Sequence, residues 1–219
     1  MRLVATSDTH KIVDPSFVPD GDVFVHGGDL CQTGYPADFE AQLDWLNELP
    51  HSLKLYVPGN HDFHLQVYPG PALQQLRSVG VWVIGLPGND NYASYKLPNG
   101  MSLLGSPYVT GLPRWAFNST EEHVWDFLRR MGRHDIIVSH MPVRGILDAV
   151  KSVSSPTGTK SVGMDAYRAY MKAYKPSHWI SGHIHECYGT AEVNGTKFYN
   201  VAMCDREQQH VNPPMVIDL

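Results

Sequence analysis

The chain alternates short apolar runs with polar clusters, and the clusters repeat in kind. Residues 3–6, "LVAT", give way to Ser7, Asp8, Thr9 and His10, and residues 23–25, "VFV", give way to His26, Gly27, Gly28 and Asp29. "LKLYV" at 53–57 leads into Pro58, Gly59, Asn60, His61 and Asp62, "DIIVS" runs into His140, and "HWIS" runs into Gly182, His183 and His185. Runs this short, rich in β-branched and aromatic residues and bounded by turn formers, predict buried strands. Between the second and third, Phe39, Leu43, Leu46 and Leu49 recur at helical spacing and stop at Pro50, which makes a β-α-β unit.

The same reading continues downstream. A helix is predicted over Ala72–Val79 after Pro71, and a strand over Val81–Gly85. Residues 86–114 are rich in Gly, Pro, Asn and Tyr, with "LPNG" as the turn of a hairpin. Ser119 as N-cap with Glu122 three residues on predicts a capped helix, whose buried face carries Val124, Phe127, Leu128 and Met131. Val150–Val162 reads as a polar surface loop, Asp165–Tyr174 as a helix, "TAEVNGTKFYN" as an Asn-Gly hairpin and "MVIDL" as a last strand. No repeat or linker divides the chain, so one domain over 1–219 is expected, of the α/β class. In such folds the carboxyl ends of the strands gather at one edge, where loops assemble a site.

Composition narrows what that site can do. With 42% hydrophobic and 18% charged residues the protein belongs with water-soluble globular chains. A net charge of -5 provides no field to attract a polyanion, so long nucleic acid is disfavoured and any phosphate chemistry must bring positive charge locally, as a bound metal would. Cys31, Cys187 and Cys204 form no C-x-x-C pair and are odd in number, which argues against a disulfide framework and for a reducing compartment. Neither a signal-peptide apolar region nor a bilayer-length run is present, so the expected location is the cytoplasm, with no membrane partner. Nothing in the pattern fixes an oligomeric state.

Histidine is the unusual component, with 12 copies, and several fall at strand tips. The tips together hold Asp8 and His10, Asp29, Asn60 and His61, His140, and His183 and His185. This set of carboxylates, imidazoles and one amide has no thiolate, which suits Mn, Fe, Zn or Ni and argues against a purely structural zinc. It holds more candidate ligands than one tetrahedral ion needs, whereas two ions sharing a carboxylate would use them. In "SGHIHECYG" the two histidines would converge on one face if the strand continued through them, and diverge if they stood on a loop.

The ordered series "DTH", "GGD", "GNHD", "SH" and "GHIH" resembles the metallophosphoesterase superfamily, the calcineurin-like dinuclear phosphoesterases. "GSPYVTGLPRWAFN" and "GHIHECYG" followed by the hairpin are similar to its compact metallophosphoesterase-domain subgroup. The resemblance implies a four-layer α-β-β-α sandwich of two mixed sheets packed face to face. The strand and helix pattern alone is equally compatible with a single doubly wound sheet. The resemblance also implies two divalent ions, with manganese favoured: one on Asp8, His10 and His185, the other on Asn60, His140 and His183, with Asp29 between them. His61 would be the proton donor beside the scissile phosphate, on a loop that Asp62 helps to hold. The expected activity is hydrolysis of a small phosphodiester, including cyclic nucleotide-like ones. Alternatives are a phosphomonoesterase, a nuclease or a scaffold that binds metal or nucleotide without turnover.

Other residues near the motifs have competing readings. Trp115, Phe117 and Asn118 either stack a nucleobase or pack as a loop over the core. His26 and His64 adjoin motif residues and are candidates to line a cleft, with ordinary core histidines as the default. His51, His123, His134, His178 and His210 take that default outright. Cys187 is expected to be a buried thiol.

Overall fold

The computed structural model describes residues 1–11, 13–88 and 92–219, so part of the expected 86–114 segment lies outside the described residues. In chain order, β1 (Arg2–Thr6), β2 (Val23–His26), α1 (Pro36–Glu48), β3 (Leu53–Tyr56), α2 (Phe63–Val67), α3 (Pro69–Ser78) and β4 (Val81–Val83) form the first half. The hairpin β5 (Ser94–Lys96) and β6 (Ser102–Ser106) follows, then the small pair β7 (Val109–Thr110) and β8 (Asn118–Ser119), α4 (Glu121–Met131) and β9 (Ile136–Ser139). A second hairpin, β10 (Ala149–Lys151) and β11 (Thr159–Ser161), precedes α5 (Asp165–Tyr174), β12 (His178–Ser181), β13 (Gly189–Val193), β14 (Thr196–Asn200) and β15 (Met215–Asp218).

Two large sheets result. One has the order β15-β1-β2-β3-β4, parallel except for β15; the other runs β13-β14-β12-β9-β6-β5, with a parallel centre and antiparallel edges. Alternation along the strands sorts their side chains into three layers of core. Leu3, Ala5, Val23, Val25 and Leu55 of the first sheet meet Leu103, Ile136, Val138 and Ile180 of the second in one cluster between the sheets. Their neighbours Val4, Phe24 and Tyr56 turn outward against Phe39, Leu46, Leu65 and Leu76 of the helices on that side. Leu104, Ile137, Trp179 and Phe198 turn the other way onto Val124, Phe127, Leu128, Tyr167 and Tyr170. The fold is therefore the four-layer α-β-β-α sandwich, and the single doubly wound sheet is excluded.

Parallel pairing in register brings strand tips level: Thr6 lies opposite His26, His26 opposite Tyr56, and Ser181 opposite Ser139. The two sheets are stitched at this same end, where Ser7 N–H donates to the Val201 carbonyl (3.0 Å) and Met203 N–H to the Ser7 carbonyl (2.9 Å). One edge thus collects loops from both sheets.

Several local expectations need correction. The N-cap of α4 is Thr120, whose side chain accepts His123 N–H; Ser119 belongs to β8. Glu121 caps α5 instead of its own helix, accepting Asp165 and Ala166 N–H at 3.1 and 2.7 Å, which supplies the cap that Met164 lacks. The helix expected from Ala72 starts at Pro69, where a proline at the first turn costs no hydrogen bond, and α2 directly precedes it. The 150–162 segment is largely exposed, as expected of a surface segment, but carries the paired strands β10 and β11.

Candidate metal centre

The loops that leave the tips of β1 and β2, and the one after β12, all turn through left-handed backbone. Asp8, His10, Asp29 and His183 have φ of 53°, 52°, 54° and 66°. For non-glycine residues this conformation is strained and persists only where the surroundings over-determine it. They do here: Asp8 N–H donates to Gly28 O (2.8 Å), His10 N–H to Asp29 O (3.1 Å), and His183 N–H to both oxygens of Asp8 (3.1 and 2.9 Å). Glycine is required where loops cross. A Cβ on Gly182 would overlap Ser7 and Asp8, and one on Gly59 would overlap Asp29.

This geometry brings all the tip residues together. Donor atoms of Asp8, His10 and His185 form one group within 4.8 Å of one another, and those of Asp29, His140 and His183 form a second. In the first, His185 Nε2 lies 3.3 Å from Asp8 Oδ1 and 3.4 Å from His10 Nε2. In the second, His140 Nε2 lies 3.3 Å from Asp29 Oδ1 and 3.0 Å from Asn60 Oδ1. Asp29 also belongs to a third group with His10 and His61, so it faces both sides of the centre. Asp8, His10, Asp29, Asn60 and His140 are buried.

The opposite ring nitrogens decide what these donors can hold. His10 Nδ1 faces the Cys31 carbonyl (3.3 Å), His140 Nδ1 that of Gly27 (3.0 Å) and His185 Nδ1 that of Asp205 (2.6 Å). A carbonyl accepts only, so each Nδ1 carries a hydrogen and each Nε2 is turned inward. Facing carboxylates, an inward Nε2 either takes up a proton or gives its lone pair to a cation, and hard-to-borderline divalent ions take this donor set.

The electrostatics agree. Burial pulls His140 down, but the Asp29 carboxylate outweighs it and raises the ring to about 9. His185 is likewise raised, by Asp8 against burial. Burial pushes Asp8 and Asp29 up, yet the facing imidazoles hold both below the usual carboxylate range. His183 is lowered to about 4 by burial and by the neighbouring His140, and His10 is lowered, chiefly by burial. The carboxylates thus draw positive charge onto His140 and His185, each 3.3 Å from a carboxylate oxygen.

His61 stands at the rim. Its Nδ1 is 2.5 Å from the Gln32 carbonyl, its backbone N–H donates to Asp29 Oδ1 (2.8 Å), and its Nε2 lies 3.9 Å from Asp29 Oδ2. Asp62 is the staple behind it, accepting N–H bonds from Asp29 (2.9 Å), Cys31 (3.0 Å) and Gly59 (2.7 Å). Burial and the nearby Asp29 charge push its carboxyl up to about 6. The carbonyls of Gln32, Gly27, Cys31 and Asp205 escaped the sequence reading because backbone acceptors leave no side-chain signal.

The structure chooses between the competing readings around the centre. His26 keeps the default of a core histidine: the ring is fully buried beneath, with Nε2 3.0 Å from Thr9 Oγ1 and Nδ1 accepting Gly28 N–H (3.3 Å). Cys187 is half-buried, its thiol facing the Ala149 carbonyl at 3.3 Å. Phe117 is 5% exposed and packs in the core, so it cannot stack a base, while Asn118 Oδ1 accepts Leu112 N–H. His64 lines a different cavity of about 420 Å³, with Tyr35, Phe63 and Tyr68, and falls in none of the ligand groups.

The sequence profile described as Calcineurin-like phosphoesterase matches residues 1–187. Metallophosphoesterase domain-containing protein 1 of Homo sapiens is 30% identical over 237 residues, spanning 100% of this chain and 71% of that protein. UPF0046 protein K07C11.7 of Caenorhabditis elegans is 26% identical over 223 residues, spanning 99% and 74%. The solved structure of TT1561 of Thermus thermophilus superposes with a TM-score of 0.57 over 91% of this chain and 88% of that one, at 13% identity, a likeness of fold.

Proposed function

Since the chain belongs to the calcineurin-like phosphoesterase family, whose members hydrolyse phosphoesters with divalent metal ions, we propose that it is a dinuclear phosphodiesterase acting on small, including cyclic nucleotide-like, phosphodiesters. The carrying observation is the set of Nε2 atoms turned inward onto buried carboxylates, each with its Nδ1 held by a backbone carbonyl. Asp8, His10 and His185 would hold one ion, Asn60, His140 and His183 the other, with Asp29 serving both. Such a pair, when bound, would supply an activated water near neutral pH and neutralise phosphate oxygens. Mn, Fe, Zn and Ni all suit these imidazole and carboxylate donors, and manganese is favoured on the family resemblance.

His61 is the general acid. With Nδ1 committed to the Gln32 carbonyl, proton transfer falls to Nε2, on the side of the ligand groups, where it protonates the departing oxygen. A diester is favoured over a monoester on the resemblance to the compact subgroup, together with an acid placed for a poor alkoxide leaving group. Three unpaired cysteines suit a cytoplasmic setting, and no helix among the described residues is long and apolar enough to cross a membrane. The whole chain acts as one domain.

The test uses purified protein loaded with Mn²⁺, assayed on bis-p-nitrophenyl phosphate, p-nitrophenyl phosphate and a panel of cyclic nucleotides. The diester is the better substrate. His61→Asn retains its metal but loses about 10²–10⁴ in turnover of an unactivated alkyl diester. A wild-type protein that binds two ions and turns over nothing would instead be a scaffold.

A further inference from the structure

We infer that Trp115 is the specificity-determining platform for the leaving-group half of the substrate, so that the site prefers a departing alcohol bearing a flat aromatic ring. The inference rests on the phosphodiesterase reading above and adds what that reading leaves open, the chemistry of one half of the substrate.

Position is the first argument. The Trp115 ring lies 4.3 Å from the His61 imidazole, tilted by 44°, and His10 packs edge-on against the same imidazole at 4.7 Å. Whatever carries the oxygen that His61 protonates must therefore pass beside the indole. Phe63 adds a second ring 6.0 Å from Trp115.

Rigidity is the second. The segment bearing Trp115 is tied to the metal loop itself, because Ala116 N–H donates to the Asn60 carbonyl (3.1 Å). Trp115 N–H donates to Leu112 O (2.9 Å), and Phe117 N–H donates to Gln66 Oε1 of α2 (3.1 Å). The β7 and β8 pair closes the loop, and the left-handed Phe117 (φ 54°) plugs it into the core. A platform held this way loses little freedom when a ligand covers it.

Exposure is the third. Ala116 and Phe117 are buried at 0% and 5%, while the much larger Trp115 stays 39% exposed. A segment able to bury its neighbours so completely presents its largest apolar face to solvent at the rim of the centre. A flat ring recovers that face by stacking, where a puckered aliphatic ring makes poorer contact. A nucleobase and a simple aryl group offer the same chemistry.

The experiment measures binding by calorimetry to the Mn²⁺-loaded wild type, Trp115→Phe and Trp115→Leu. The probes are benzyl phosphate against cyclohexylmethyl phosphate, and adenosine 5′-monophosphate against ribose 5-phosphate. Wild type is expected to bind benzyl phosphate about tenfold more tightly than its saturated counterpart. Trp115→Phe keeps most of that ratio and Trp115→Leu abolishes it, with metal content per chain confirming an intact centre. Loss of the adenosine preference in the same variant identifies a nucleobase as the ring; loss of the benzyl preference alone identifies an aryl group. Equal affinity of wild type for the two rings, or an equal loss on both in Trp115→Leu, overturns the platform. Turnover of bis-p-nitrophenyl phosphate by the same wild-type preparation tests the phosphodiesterase reading separately.

Discussion

His26 and His140 stand in closely similar surroundings. His26 is the last residue of β2 and His140 the first beyond β9, each has 0% exposure, and each touches the same Gly27–Gly28 turn, His26 through the Gly28 N–H and His140 through the Gly27 carbonyl. Their chemistry is opposite. His26 lies among Phe24, Trp45 and Tyr56, and burial depresses its ring to about 3; His140 faces Asp29, and the carboxylate raises it to about 9. Burial alone therefore does not set the charge of a ring. A carboxylate 3.3 Å away does so for His140, whereas among the described residues His26 has only the Thr9 hydroxyl and the Gly28 N–H as polar partners.

The strongest way to break the comparison is to remove the carboxylate. Asp29→Ala takes away the group proposed to serve both ions and the carboxylate that raises His140. Metal content, measured by plasma mass spectrometry, should fall from two ions per chain to fewer than one. Turnover should drop by on the order of 10³-fold or more, since the ions supply several kcal/mol of charge stabilisation. Retention of both ions in this variant would mean that Asp29 is not the shared ligand.

A smaller effect is expected one step behind the ligands. Asp62→Ala leaves the N–H groups of Asp29, Cys31 and Gly59 without their acceptor, and a buried donor left unsatisfied costs about 1–3 kcal/mol. Partial relaxation of the loops brings the sum to about 3–5 kcal/mol, read as a shift in urea midpoint on metal-free protein. Asp62→Asn should cost less. Its amide oxygen can still serve Asp29 and Gly59, and only the Cys31 N–H then meets another donor. If the two variants are equally mild, Asp62 does not hold the loops.

The legibility of these regions follows from the kind of signal each leaves. Apolar runs ending in Asp, His or Asn marked β1, β2, β3, β9 and β12 correctly, because strand periodicity and turn chemistry are local. The candidate site was legible as a cluster of carboxylates and imidazoles because those residue types recur at the strand tips. The choice between one sheet and two was not, because it depends on Leu3 and Ile136 meeting across the interior, a contact that neither run encodes by itself. His183 and His185 sit in a loop and a short 3-10 turn after β12, so strand alternation is not what converges them; the left-handed His183 and the Asp205 carbonyl are. Likewise Trp115 and Phe117 look equivalent in sequence, and only the fold buries one and exposes the other.

The smallest predicted effect bears most directly on the two histidines. His26 is depressed from its ordinary 6.5 to about 3, so between those values the unfolded chain binds a proton that the folded one refuses. Its contribution is fully present above pH 6.5 and is lost as pH falls through that window, at about 1.4 kcal/mol per unit. A glutamine at this position can still accept the Gly28 N–H and donate to Thr9 without titrating. Urea unfolding of metal-free wild type and His26→Gln at about pH 7 and pH 5 should therefore show the variant gaining about 2 kcal/mol relative to wild type on acidification. His140 carries the opposite sign, since a raised ring stabilises below its unfolded value and loses that contribution as pH climbs towards 9. A stability difference between wild type and His26→Gln that does not move with pH would show that the buried ring is protonated after all, and that the floor and the centre are not electrostatically distinct.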